Sequence, residues 1–294
     1  MPVLYVINVN HGNSALLCTP NGNILIDAGP KNELLEFLIS KNINEIDDVI
    51  LSHSDADHIG GLMALIDSEL IKIKNVYINS DSIKNSDLFD DLIYSLCNHS
   101  HIYLEPSITN NLNGRLDKDD VIVEILAPNK YLAVKAAGGK DRNGRHIDSN
   151  TISAVIRFIY KKDKIALFPG DIDLIGLDNL LADYTELNTQ LLIFPHHGGL
   201  PGSTKIKEFV ERICMASNPS VIIFSIKNNS KEFPHPEVLS NILSATKGTR
   251  MYTTNSSQSF IKFIQENNLP DCRDNVGTIT IDFKVKPITL LFNN

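Results

Sequence analysis

The chain has 294 residues, 43% of them apolar, with a formal net charge of -8 and a sequence pI of about 5.6. That length supports a large core, read as a single domain over residues 1–294. The acidic balance weighs against a dedicated DNA-binding module, though not against an enzyme whose metals meet a phosphate. Met1 to Asn10 has neither the basic start nor the cleavage site of a secretory leader, and no apolar run approaches bilayer length. The cysteines Cys18, Cys97, Cys214 and Cys272 show no CxxC spacing. A soluble, cytoplasmic protein with reduced thiols and no membrane contact is therefore expected.

In chain order, Val3 to Val9 and Ala15 to Cys18 read as strands joined by the polar turn Asn10 to Ser14. Asn21-Gly22 signals a hairpin into a strand at Asn23 to Asp27. A helix is expected over Glu33 to Lys41, a strand over Asp48 to Ser52, a helix over Gly61 to Ile71 and a strand over Asn75 to Asn79. A helix over Ser86 to His99 and strands over His101 to Leu104 and Val121 to Leu126 follow. Lys135 to Ser149 has paired glycines and few apolar anchors, and reads as a mobile loop near the site. Strands Thr151 to Tyr160 and Lys164 to Phe168 form a second hairpin. The rest reads as helix Leu174 to Tyr184, strand Leu191 to Phe194, helix Ser203 to Ala216, strand Val221 to Ile226, a helix from Pro236, and strands Arg250 to Thr254 and Gly277 to Phe283. Strands then helices in both halves suggest two sheets face to face with helices outside, a four-layer αββα sandwich.

The most informative stretch is Leu51 to Gly61, LSHSDADHIGG. It sets His53, Asp55, Asp57 and His58 directly after a buried strand end, with Gly60 and Gly61 allowing a close backbone approach. Such a cluster destabilises through desolvation and repulsion unless a cation offsets it, so these four are read as metal ligands. Other candidates fall at ends of expected strands: Asp27 in NILIDAG, Asp171 in LFPGDID, and the tandem His196 and His197 in IFPHHGG. Alone, Asp27 and Asp171 read equally well as turn or cap residues; in combination Asp171 is taken as a ligand. His235, flanked by Pro234 and Pro236, is either a loop histidine at a helix start or a catalytic group. Asn150 is able to cap, turn or bind. His11, His99, His101 and His146 are read as surface or loop residues.

These pieces, in this order, resemble the metallo-β-lactamase fold superfamily, and in particular the soluble hydrolase domain of DNA-uptake competence proteins. The likeness runs from Asn8 to Phe283. It rests on Asp27-Ala28-Gly29, on the His-x-Asp-x-Asp-His motif at His53 to His58, on Asn150, on Gly170-Asp171, on His196-His197-Gly198 and on His235-Pro236. Three departures stand out. His11-Gly12-Asn13 replaces the family's glutamine-glycine-aspartate, and Gly199, Leu200 and Pro201 intervene where a serine is usual. Residues 256–275 form an extra stretch, expected to act as a lid or partner surface.

The resemblance implies two divalent cations. His53 and Asp55 would hold one, with Asn150 or water, while Asp57, His58 and His196 would hold the second and Asp171 would bridge; spacing does not separate His196 from His197. Asp57 would belong to the catalytic machinery, Asp27 would orient a ligand, and His235 would donate a proton or bind phosphate. Replacing imidazoles by Asp55 and Asn150 makes the first site oxygen-rich, which favours Mn²⁺ over Zn²⁺, with Mg²⁺ also suited. The implied activity is metal-dependent hydrolysis by a metal-activated water, of a phosphodiester or nucleic acid above all, with a protein partner supplying further contacts. The alternatives are a hydrolase of small esters, lactones or thioesters, and a non-enzymatic module with a partial site.

Overall fold

The computed structural model describes residues 1–202, 205–285 and 289–293. Ser203, the first residue of one expected helix, lies outside them. The first half contains strands β1 (Val3–Val6), β2 (Ala15–Thr19), β3 (Gly22–Ile26), β4 (Glu45–Ile50), β5 (Lys72–Tyr77) and β6 (Tyr103–Glu105), with helices α1 (Glu33–Ser40), α2 (Ala56–Ser68) and α3 (Asp87–Asn98). The second contains β7 (Val121–Ala127), β8 (Val155–Tyr160), β9 (Asp163–Phe168), β10 (Leu191–Ile193), β11 (Val221–Phe224) and β12 (Arg250–Thr253), with α4 (Lys130–Lys135), α5 (Leu174–Asp183), α6 (Ile206–Ser217), α7 (Pro236–Ala245) and α8 (Gln258–Glu266). Strands β13 (Thr278–Asp282) and β14 (Leu290–Asn293) return to the first sheet.

The strands form an eight-stranded sheet, β14-β13-β1-β2-β3-β4-β5-β6, and a six-stranded one, β12-β11-β10-β9-β8-β7. Apolar side chains alternate between the two faces of each strand and so bury on both sides. Leu4, Leu17, Ile24 and Ile50 meet Val123, Phe158, Phe168 and Ile223 in a core between the sheets. The opposite faces pack separately: Leu16, Leu25 and Val49 against α1–α3, and Leu167, Leu192 and Ile222 against α5–α8. The result is the four-layer αββα sandwich the strand and helix rhythm predicts. In each sheet the central strands run parallel, β3 to β6 and β9 to β12. The loops after their carboxyl ends are where such sheets place ligands.

The structure differs from the sequence reading at identifiable points. Helix α2 begins at Ala56 rather than Gly61, so Asp57 and His58 sit on its first turn. Apolar periodicity starts only at Ile59 and hides the polar start. Residues 256–275 are expected as a lid or partner surface; instead they hold α8 in the outer helical layer, with Phe260 fully buried and Ser257 capping the helix by accepting a hydrogen bond from the Phe260 N–H. The Lys135 to Ser149 stretch is not a bare loop: the Gly138 N–H donates to the Ile147 carbonyl, the Ile147 N–H donates to the Gly139 carbonyl, and Asp141 and Asp178 grip Arg145. Among the described residues no helix is long and apolar enough to cross a membrane.

Candidate metal centre

Donors from both sheets meet at the carboxyl ends of β3, β4, β9 and β10. Asp27 follows β3, while His53 and Asp55 follow β4 and Asp57 and His58 open α2. Asp171 follows β9, and His196 and His197 sit at a kink in the Pro195–Gly198 segment after β10. Two close approaches fix α2 in place. A Cβ at Gly61 would stand 2.2 Å from the Ala28 carbonyl oxygen, and one at Gly12 would stand 2.2 Å from that of Asp57, where φ is also +122°. The turn after β1 thus lies directly on the first turn of α2. Asp27, His196 and His197 are left-handed, with φ of 55°, 53° and 55°. Non-glycine residues tolerate this only where surroundings enforce it, which is common at functional sites.

Hydrogen bonds at the rear of each ring fix its tautomer, because a carbonyl or carboxylate oxygen only accepts. His58 Nδ1 donates to Asp27 Oδ2 at 2.8 Å, and Asp27 also accepts from Ser52 N at 2.7 Å and Ser52 Oγ at 2.9 Å. The Ser52 hydroxyl gives its proton to Asp27 and so accepts from His53 Nδ1 at 3.0 Å. His197 Nδ1 donates to the Ser225 carbonyl at 2.8 Å. Each of these rings therefore turns Nε2 toward the centre, where the neutral imidazole offers its lone pair. His196 is reversed: its Nε2 donates to the Ile172 carbonyl at 3.0 Å, leaving Nδ1 at 3.6 Å from Asp171.

Two groups of three donors result, each with its atoms within 4.8 Å of one another: His53, His58 and Asp171, all buried, and His11, Asp57 and His197. Asp171 links them, with Oδ2 at 3.7 Å from His58 Nε2 and 3.9 Å from His197 Nε2. The tandem histidines are thus separated: His197 joins a donor group and His196 joins neither. Asp55 stands 3.6 Å from His53 and is ion-paired by Lys84. Asn150, His196 and His235 border the open pocket of about 680 Å³ above the centre, opposite His11 and Phe233. His235 also caps α7, accepting from Glu237 N at 3.3 Å, and its own N–H donates to the Gly198 carbonyl at 2.8 Å. His99 and His101 meet edge to face, with ring centroids 5.5 Å apart, and belong to neither donor group.

Burial disfavours charge on Asp171, yet the neighbouring His58, His196 and His197 hold its carboxyl well below the usual carboxylate range. Asp57 is likewise kept low despite burial, by the hydrogen bond to His197 and the charge of His58. The His53 hydrogen bond and Lys84 depress Asp55. Burial opposes charge on His58 and His197, but the flanking carboxylates outweigh it and raise both. Burial and His197 lower His11.

His11 is the donor that sequence reasoning misses. Its only local signal is its place after a strand and before Gly12. Its Nε2 lies 3.5 Å from Asp57, and its ring centroid lies 4.8 Å from that of His197. The residues also fit divalent cations on chemical grounds. Among the described residues His53 Nε2, His58 Nε2 and Asn150 Oδ1 are buried without a hydrogen-bond partner, beside three carboxylates held ionised. Buried polar atoms are rarely left so, and inward-facing lone pairs among carboxylates suit a cation.

Comparison with known proteins agrees. Residues 7–94 match the model of the metallo-beta-lactamase superfamily. ComE operon protein 3 of Bacillus subtilis is 24% identical over 255 residues, covering 80% of this chain but only 30% of its own length. Two solved structures share the fold. The metallo-beta-lactamase fold protein YhfI of Bacillus subtilis aligns with a TM-score of 0.52 at 12% identity, over 86% of this chain and 96% of its own. Tm1679, described as a metal-dependent hydrolase of the beta-lactamase superfamily, aligns with a TM-score of 0.51 at 15% identity, over 87% and 96%. The chain thus resembles the metallo-β-lactamase superfamily over residues 7–94, shares the αββα fold of those two solved structures, and is similar in sequence to ComE operon protein 3.

Proposed function

We propose that this chain is a metal-dependent hydrolase acting on phosphodiesters, with nucleic acid as its first candidate substrate. The observation that carries this reading is the convergence of His53, His58 and His197, each with its Nε2 lone pair facing in, around the ionised Asp171. His53, Asp55 and Asn150 would hold one divalent cation and Asp57, His58 and His197 a second, with Asp171 between them and His11 beside Asp57. Their oxygen donors favour Mn²⁺ over Zn²⁺. When bound, such cations supply the positive charge that activates water and neutralises an anionic ester.

The chain's own residues do the rest. Asp27 fixes the His58 ring from behind, and the Ser225 carbonyl does the same for His197. His235, on the pocket wall, is placed to give a proton to the leaving oxygen. The pocket opens to solvent, with the side chains of His11 and Asp55 about 41% and 36% exposed, which suits a polymer better than an enclosed small ester. Likeness to a competence operon protein supports DNA as the polymer. With an acidic chain, cations at the centre or a protein partner supply the attraction to phosphate.

The test is cleavage of single- and double-stranded DNA, RNA and bis-p-nitrophenyl phosphate in Mn²⁺, Mg²⁺ or Zn²⁺, beside a variant carrying Asp57→Ala and His58→Ala. Metal-dependent cleavage that disappears in the variant is expected. Turnover of lactones or thioesters without any phosphodiester cleavage would transfer the site to small esters.

A further inference from the structure

The Asp55 carboxylate has a resident cation of its own, Lys84, which lies outside every motif that marks the centre. Asp55 is the N-cap residue of α2, yet its side chain makes no capping bond; Oδ1 takes the Lys84 ammonium and Oδ2 faces His53. Lys84 is not a loose surface lysine that happens to reach in, since its side chain is only 24% exposed. The loop that carries it is pinned on both sides. Asp81 pairs with Ala137 and accepts hydroxyl bonds from both Ser54 and Ser149, the neighbours of Asp55 and Asn150. Ser82 Oγ donates to the Ala137 carbonyl at 3.1 Å, and the Lys84 N–H donates to the Asp81 carbonyl at 3.4 Å. One buried carboxylate therefore sets the spacing of Ser54, Ser149 and the lysine loop together.

We propose that Lys84 is the built-in counter-ion of Asp55 and weakens the half of the centre formed by His53, Asp55 and Asn150, so that the two halves bind divalent cations with unequal affinity. This rests on the metal-dependent reading above. A cation arriving at Asp55 meets a carboxylate already paired with an ammonium that has no lone pair to offer it, while the partners of Asp57 are the imidazole rings of His197 and His11, which can themselves become ligands. One unit charge at contact is worth about fivefold in affinity even under full water screening, and more where water is partly excluded.

The experiment is a Mn²⁺ titration of the full chain freed of metal, reading stoichiometry and both dissociation constants by calorimetry and by the free-Mn²⁺ electron paramagnetic resonance signal. Wild type is compared with Lys84→Met, with Lys84→Arg, and with Lys247→Met, an exposed lysine beyond the far end of α7. Thermal melts confirm that each variant folds. The expected result is one tight and one weak site in wild type, with the weak site tightening fivefold or more in Lys84→Met and unchanged in the other two. Tightening of less than fivefold in folded Lys84→Met, or equal tightening in Lys247→Met, overturns the role of Lys84 while leaving the hydrolase reading intact. No Mn²⁺ binding by wild type or any variant overturns both.

Discussion

His58 and His197 are almost fully buried, each ring tied from behind by an oxygen that only accepts, with the shared Asp171 carboxylate in front. Asp55, across the same centre, is over a third exposed, held by a flexible lysine and by a loop anchored through serine hydroxyls. One side is prepared before any ligand arrives, because its tautomers and ring planes are set by the fold itself. The other is held by long side chains whose charges compete. A preorganised side loses little on binding, while an adjustable one is open to tuning by its neighbours.

The sharpest way to break this contrast is Asp171→Asn. The exchange preserves shape but removes the charge that three histidines face, so hydrolysis is expected to fall by about a thousandfold or more, in line with the several kcal/mol that charge placement contributes in such sites. Steady-state rates at saturating Mn²⁺ decide it, and an activity within tenfold of wild type would show that Asp171 does not link the two donor groups. A smaller effect is expected from Asp27→Asn, which weakens only the support behind His58. Metal affinity or activity should drop about 10- to 100-fold, and an unchanged Mn²⁺ dissociation constant would show that the ring needs no such anchor.

The smallest effect concerns the segment that delivers Ser149 and Asn150. Burial opposes ionisation of Asp178, but hydrogen bonds from Arg145 and Arg212 hold its carboxyl below the usual range. A depressed carboxylate stabilises the fold fully above its unfolded pKa of about 4 and loses that contribution as pH falls through the folded value. Amide hydrogen exchange over residues 135–149 should therefore be steady from pH 7 to 5, once corrected for intrinsic rate, and rise below pH 4. Protection that weakens instead on raising the pH from 5 to 7 would contradict this sign.

Much of the candidate site is legible in the sequence because its polar groups are neighbours in the chain or end apolar runs: His53 to His58 stand together, and Asp27 and Asp171 each close a strand beside a glycine. The rest depends on partners far away in the chain. His196 and His197 have nearly the same backbone conformation, and only the Ile172 and Ser225 carbonyls behind them decide which ring faces inward. His11 gains its place from a turn lying on α2, and Lys84 from a loop 29 positions beyond its carboxylate. The sandwich itself is readable from period-two strands and the helices between them. Helix α8 reads as an insert because the resemblance implies only a short turn between Thr254 and Gly277, and only packing against the outer layer shows Phe260 and Phe263 to be core residues.

The donors also emerge in a fixed order in time. His53, Asp55, Asp57 and His58 leave the ribosome before Asp171 and His197, which belong to the opposite sheet and follow more than a hundred residues later. A nascent chain therefore offers only an open quartet, unable to close around an ion until the second sheet has docked. On the proposed metal-dependent reading, cation choice is thereby deferred to the finished protein.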